Sequence, residues 1–242
     1  MTTITTPQVD WYAYAQKYDM LLAYNPFYQQ LHQQVMAQIK QWTIRNGAVI
    51  ADIGAGTGNY SVAVARLFPN AQVLHFDQDE GMNLMAAKKG ADLGNLQIVE
   101  KPVEQSDFTE NCLSGILCIN ALYTFPDPQQ TLKKMYRWLE PGGYLALVDP
   151  GRIMNLWSWK LAISWRLLRA YGLNKTLEVF REAKTVSQQN AFIREMQKNG
   201  TYWTHSHEEC CEAVRAAGFT IEKSALCFRG DCDMVIAKKG GG

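Results

Sequence analysis

Long apolar runs, an excess of one charge and cysteine in quantity are all missing from this chain. The 24 Lys and Arg nearly cancel the 23 Asp and Glu. A net charge of +1 gives no field for gathering a polyanion, so no nucleic-acid partner is expected. Six cysteines, at positions 112, 118, 210, 211, 227 and 232, are too sparse for a disulfide scaffold and form no C-x-x-C pair. They are read as reduced thiols. Lys160, Arg166 and Arg169 interrupt the most apolar region well short of the ~20 residues of a membrane span. The opening "MTTITTPQVD" carries neither the basic nor the apolar region of a secretory signal, and a cytoplasmic location is the expectation. What remains, 47% hydrophobic against 19% charged residues, is the balance of a globular chain with a covered core.

Along the sequence, Asn25 precedes Pro26 as an N-cap, and Leu31, Val35, Ile39 and Trp42 follow at helical spacing up to a stop at Asn46-Gly47. Buried-strand patterns then alternate with amphipathic helices. Strands are predicted at 48–53, 72–76, 96–100, 115–120 and 144–149, and helices at 58–67, 80–89 and 128–139. Continuous apolar strands separated by helices imply an α/β, doubly wound, mostly parallel sheet. After Asp149 the alternation breaks. Residues 151–177 hold five cations (Arg152, Lys160, Arg166, Arg169, Lys175), three tryptophans (Trp157, Trp159, Trp165) and no acid. Such a stretch suits a helical lid over an apolar substrate, with peripheral contact to a membrane surface as the second reading. "SHEECCEAVRAAGF" then reads as a helix capped by Ser206 and ended by Gly218, and two final strands turn around Arg229-Gly230-Asp231 as an antiparallel hairpin. The expected whole is one domain over 1–242, with N-terminal cap helices at about 8–45, a core at 46–150 and 201–239, and a lid at about 151–200.

The strand–glycine–helix stretch "VIADIGAGTGNY" (49–60) is the chemical focus. Glycines let backbone N–H groups approach a ligand at the positive end of a helix. The dinucleotide fingerprint G-x-G-x-x-G is not met, because Asn59 stands where its third glycine belongs; the spacing is G-x-G-x-G, ending at Gly58. Asp52, two residues before the first glycine, suits a cationic ligand better than a pyrophosphate.

"D-I-G-A-G-T-G" resembles motif I of the class I S-adenosylmethionine-dependent methyltransferases, a small-molecule branch similar to the enzymes of ubiquinone and menaquinone biosynthesis. Asp77, 25 residues beyond Asp52, sits where that family's acid binds both ribose hydroxyls. Met82 follows in a "D-x-S-x-x-M"-like pattern, with Asp79 in the serine's place. "LEPGG" (139–143) and the closing "AAGF" with its hairpin extend the resemblance over most of residues 10–238. Two departures stand out: "KPVE" (101–104) replaces the family's adenine-binding acidic stretch, and Ser114 stands where an aspartate is common.

The resemblance implies S-adenosyl-L-methionine as cofactor, held by Asp52, Gly54, Ala55, Gly56, Thr57, Gly58, Asp77, Gln78, Met82, Val103, Glu104, Asn120 and Tyr18. Tyr14, Tyr123 and Trp157 are the expected substrate contacts. Methyl transfer from a sulfonium is a direct displacement that needs chiefly alignment and exclusion of water. If the acceptor must lose a proton, Tyr18, His32, His205 and His207 are candidate bases. No metal is expected: His205, His207, Cys210 and Cys211 have poor zinc spacing, and Asp149 lacks a second acid cluster for a catechol-type site. A nucleic-acid methyltransferase is the first alternative, although "NALY" (120–123) stands where amino-directed members carry Pro-Pro-aromatic. A non-methylating protein on the same fold, such as a cyclase, is the second.

Overall fold

The computed structural model describes residues 15, 17–19, 23–106 and 108–241. The expected cap helices at about 8–45 therefore fall partly outside the described residues, and Tyr14 lies outside them altogether. Residues 15, 17–19, 23 and 24 are helical.

Helix α1 (Pro26–Ile39) starts as the sequence dictates: the Asn25 side chain accepts from the Phe27 and Tyr28 amides. It ends earlier than the periodicity suggested. The amides of Gln41 and Trp42 bond three residues back in a tightened last turn, and Trp42 leaves the helix to stack on Tyr144, centroids 5.1 Å apart. The Trp42 ring lies against Gly115 of the fourth strand, where a Cβ would come within 2.7 Å of it. Trp42 thus belongs to the core by tertiary contact, not by helical period.

The alternation predicted from 48 to 149 is present. It comprises β1 (Val49–Ile53), α2 (Asn59–Leu67), β2 (Gln72–Asp77), α3 (Glu80–Lys89), β3 (Leu96–Glu100), β4 (Leu113–Ile119), α4 (Pro128–Trp138) and β5 (Leu139–Asp149). Strand β5 begins before the expected residue 144. Leu139 pairs with Leu113, the register shifts, and pairing resumes at Tyr144 opposite Gly115, so the "PGG" turn is a bulge within the strand, with Gly142 at φ 81°.

Next come α5 (Leu156–Glu182), α6 (Lys184–Lys198), α7 (His207–Ala216), β6 (Thr220–Cys227) and β7 (Cys232–Lys238). The seven strands are ordered β3-β2-β1-β4-β5-β7-β6. The first five are parallel, and β7 runs antiparallel between β5 and β6.

One buried cluster lies on each sheet face. Leu132, Met135 and Trp138 of α4 pack with Cys210, Cys211 and Val214 of α7 on one side. Leu31, Val35 and Ile39 of α1 pack with Tyr60, Val64 and Ala65 on the other. Helix α7 carries the full capping box expected of Ser206 and Glu209. The order in which strands are added switches sides between β1 and β4, which run parallel, and a crevice opens beyond their carboxyl ends, where doubly wound sheets place ligands.

Candidate functional site

A cavity of about 880 Å³ fills that crevice, with the glycine loop as its floor and α5 and α6 as its roof. Gly54 has φ 68°, and a Cβ there would stand 2.4 Å from the Ala121 Cβ; a Cβ on Gly58 would stand 2.7 Å from that of Ala86. These two glycines let the loop press against its neighbours. Nothing lies within 4 Å of a Cβ built on Gly56, so that backbone faces open space.

Asp77, at the end of β2, ties the floor together. Its Oδ2 accepts the Gly56 amide at 2.8 Å and its Oδ1 accepts the Asp79 amide at 3.0 Å. Each oxygen keeps acceptor capacity toward the cavity. Burial raises the Asp77 pKa, against the pull of the Asp79 and Gly56 amides. Asp79 also caps α3 through the Met82 amide, at 2.9 Å, which accounts for an acid in place of the family's serine. Met82 is buried with Ala15 and Val186, so the N-terminal segment, α3 and α6 meet on one side chain. A second tie holds the loop's outer side: Lys89 donates to Asp19 (2.6 Å), Thr57 (3.0 Å) and Asn59 (2.6 Å). Lys17 pairs with Glu182 at the end of α5.

Of the residues expected at the site, Tyr18, Gly54, Ala55, Gly56, Thr57, Asp77, Gln78, Met82, Val103, Glu104, Asn120 and Tyr123 line the cavity. Asn120 takes a left-handed backbone at φ 56°, which asparagine tolerates, and carries the chain off β4 into the crevice. Tyr18 shares a 2.8 Å hydrogen bond with Tyr28, and burial pushes its phenol well above the ordinary range. It is therefore protonated at neutral pH and unsuited to general-base work. If the cavity carries out the methyl transfer that the sequence resemblance implies, Tyr18→Phe is expected to lower it by less than about tenfold, the order of one lost hydrogen bond. A loss of a thousandfold in steady-state assays would restore a catalytic role.

Apart from Tyr14, outside the described residues, the remaining expected residues do not line the cavity, Gly58 among them because it packs on Ala86. Trp157 is 74% exposed and does not line the cavity; Trp159, two residues on in α5, does. The swap follows from helix phase, since Leu156, Trp159 and Ile163 share the inward face. His32 packs at a tilt on Tyr60, ring centroids 4.8 Å apart, and lies 3.4 Å from the Asn59 carbonyl, outside the cavity. His205 is buried behind the wall, 3.2 Å from Asp149 and 3.3 Å from Asp233. Burial opposes its charge, yet bonds to the two carboxylates raise its pKa to about 9. Against burial, His205, Arg152 and His207 hold Asp233 down to about 2. His207 belongs to this cluster, 2.7 Å from Asp233. Asp149 also accepts the Tyr123 amide at 3.1 Å, so the cluster anchors a cavity-lining residue from behind.

Asp52 does not line the cavity. It is 1% exposed beneath the loop, accepts from the Ser61 hydroxyl at 2.6 Å, and Ser61 lies 2.9 Å from His75 Nδ1. Burial pushes the Asp52 carboxyl up to about 7 and the His75 imidazole down to about 4. A raised carboxyl favours the folded state while protonated, so its contribution declines as pH rises from about 4 to about 7. Asp52→Asn is expected to flatten that decline and to gain up to about 4 kcal/mol on the wild type at pH 8, with little difference at pH 4. Urea melts at both pH values check this; equal slopes in both proteins would refute it.

Sequence reasoning missed Tyr28, Arg152, Asn190, Arg194 and Phe228 as lining residues. The i, i+3 and i+7 spacing of Leu156, Trp159 and Ile163 was the available signal for the lid's inner face. Arg152 and Phe228 reach the cavity only through folding of β5 and the β6–β7 turn.

A family model described as a methyltransferase domain matches residues 51–147, the stretch carrying the loop, Asp77 and Asn120. A demethylmenaquinone methyltransferase of Listeria welshimeri is 30% identical over 125 residues, covering 50% of this chain and 52% of that protein. The chain thus spans about half the length of the curated relatives it matches. A SAM-dependent methyltransferase from Aquifex aeolicus superposes with a TM-score of 0.56 at 16% identity, covering 84% of this chain and 88% of that one. The [4+2]-cyclase SpnF superposes with a TM-score of 0.60 at 15% identity, covering 88% and 82%. The fold is that of the class I S-adenosylmethionine-dependent methyltransferases.

Proposed function

We propose that this chain transfers a methyl group from S-adenosylmethionine to a small, apolar or aromatic acceptor held beneath the α5–α6 lid. The carrying observation is the Asp77 carboxylate, fixed by the Gly56 and Asp79 amides on the floor of a cavity that Tyr18, Tyr28, Trp159 and Phe228 also line. The residues present fit the cofactor. Asp77 offers a diol two acceptor oxygens, the open backbone at Gly56 admits close approach, and Met82 and Val103 supply apolar surface for a flat base. A volume of about 880 Å³ is near the upper end of the roughly 300–1,000 Å³ of ligand pockets, enough for a cofactor and an acceptor together.

When bound, S-adenosylmethionine supplies an electrophilic methyl group on a sulfonium. The protein's own part is alignment and exclusion of water. Tyr18 and Tyr28 wall the chamber on the N-terminal side, while Trp159 and Phe228, 4.5 Å apart between centroids, form its aromatic end. Arg152, Arg194 and Lys184 also line it, and they would favour an acceptor that develops negative charge as it loses its proton. That need could be met by the acceptor's own acidity, without a base from the protein.

The test is incubation with labelled S-adenosylmethionine and aromatic, polyketide-like, amine and lipid acceptors. Label transfer to an aromatic or apolar acceptor supports the proposal. Transfer to amines or nucleic acid alone would reject the substrate class. Cofactor binding with no transfer to any acceptor would favour a non-methylating role on the same fold, as the name of the cyclase illustrates for that protein.

A further inference from the structure

Helix α5 is apolar on two opposite faces. Leu156, Trp159 and Ile163 line the cavity, while Trp157, Leu161, Trp165, Leu168 and Tyr171 are all exposed, Trp157 by 74% and Leu161 by 69%. At 3.6 residues per turn these five fall within an arc of about 120°. Beyond the kink at Gly172 (φ 76°), Leu173 and Leu177 are exposed as well. A contiguous apolar face of this size on a globular protein marks a contact surface.

Its charge tells what covers it. Lys160 and Arg169 flank the arc, with their cations 5.7 Å from the Trp157 ring and 4.7 Å from the Trp165 ring. Between Asp149 and Glu178 the chain has five cations and no acid. A second copy docked across a two-fold axis would set this cationic set against itself, with no carboxylate of the same segment to neutralise it. Tryptophans and leucines in the middle with Lys and Arg at the edges are what an anionic lipid interface accommodates: rings and alkyl stems enter the acyl boundary while the cations meet headgroup phosphates. Among the described residues no helix is long and apolar enough to cross a membrane.

We propose that the outer face of α5 docks the protein on an anionic lipid bilayer. The same helix then has the membrane on one side and the acceptor chamber on the other.

The test is co-sedimentation of the full chain, without cofactor or acceptor, with vesicles of phosphatidylcholine alone or mixed with phosphatidylglycerol. Because neither cofactor nor acceptor is present, its outcome is separate from that of the methyl-transfer proposal. Binding to the anionic vesicles is expected to be at least about tenfold tighter than to neutral ones and to weaken with added salt. Leu161→Gln combined with Trp165→Gln should weaken it by about tenfold or more. Arg169→Gln, at an exposed position, should weaken it about fivefold and keeps the test open if the double variant misfolds. Absent binding, equal binding to both vesicle types, or binding unchanged in these variants would overturn the proposal. So would a soluble dimer that binds no vesicles and that the double variant disperses.

Discussion

Asp77→Ala is expected to weaken S-adenosylmethionine binding by about a hundredfold or more, as read by titration calorimetry. The carboxylate makes two charge-assisted hydrogen bonds to the amides of Gly56 and Asp79, and on the proposed function it also receives the ribose hydroxyls. Such bonds contribute about 1.5–3 kcal/mol each, so loss of the ligand contacts alone reaches two orders of magnitude. Asp77→Asn keeps one carbonyl oxygen but turns a donor toward one of the two amides, and about a tenfold to hundredfold loss is expected. The pair separates ligand binding from folding: both variants should melt cooperatively, with affinities ordered wild type, Asn, Ala. Unchanged affinity in the alanine variant would remove Asp77 from the site.

The second large effect is at Gly54. A side chain there meets a left-handed backbone (φ 68°) and stands 2.4 Å from the Ala121 Cβ, with the Phe125 ring 3.4 Å away. Neither neighbour is the free end of a flexible chain, so the loop itself must move. Gly54→Val is expected to cost about 3 kcal/mol or more, from roughly 1–2 kcal/mol for the backbone and at least as much for the overlap. For a chain of this size that lowers Tm by roughly 6–12 °C. Gly56→Ala is the control, since its φ of 57° carries a backbone cost but no atom lies within 4 Å of the new methyl. It should lose about 1–2 kcal/mol. Equal losses at the two positions would mean that contact with Ala121 does not set the loop's position.

Much of the fold was legible because local signals and tertiary packing agree from β1 to β5. Buried strands read as apolar runs, and Asn25, Asp79, Asp127 and Ser206 each cap the helix that follows them. Trp42 misled because its helical spacing was accidental; its partner, Tyr144, lies about a hundred residues away. The start of β5 misled because a bulge at Gly142-Gly143 hides a strand behind a turn motif.

At the site, the residues carried on contiguous motifs, the loop 54–57 and Asp77 to Met82, do line one cavity. Asp52 was read as a group facing a cationic ligand, but its side chain serves the buried Ser61–His75 chain rather than the cavity wall. Trp157 and Trp159 could not be told apart by composition, since both are tryptophans in a basic stretch and only helix phase separates them. The cluster of Asp149, His205 and Asp233 was not legible at all. Its members come from β5, the residue before the Ser206 cap and β7, and only the folded sheet brings them within 3.3 Å.

What the cavity binds decides between a methyl donor and a dinucleotide. Titration calorimetry of the wild-type chain should show S-adenosylmethionine occupying a single saturable site and NAD producing no heat of binding. Binding of NAD in place of S-adenosylmethionine, or of neither, would contradict the proposed function.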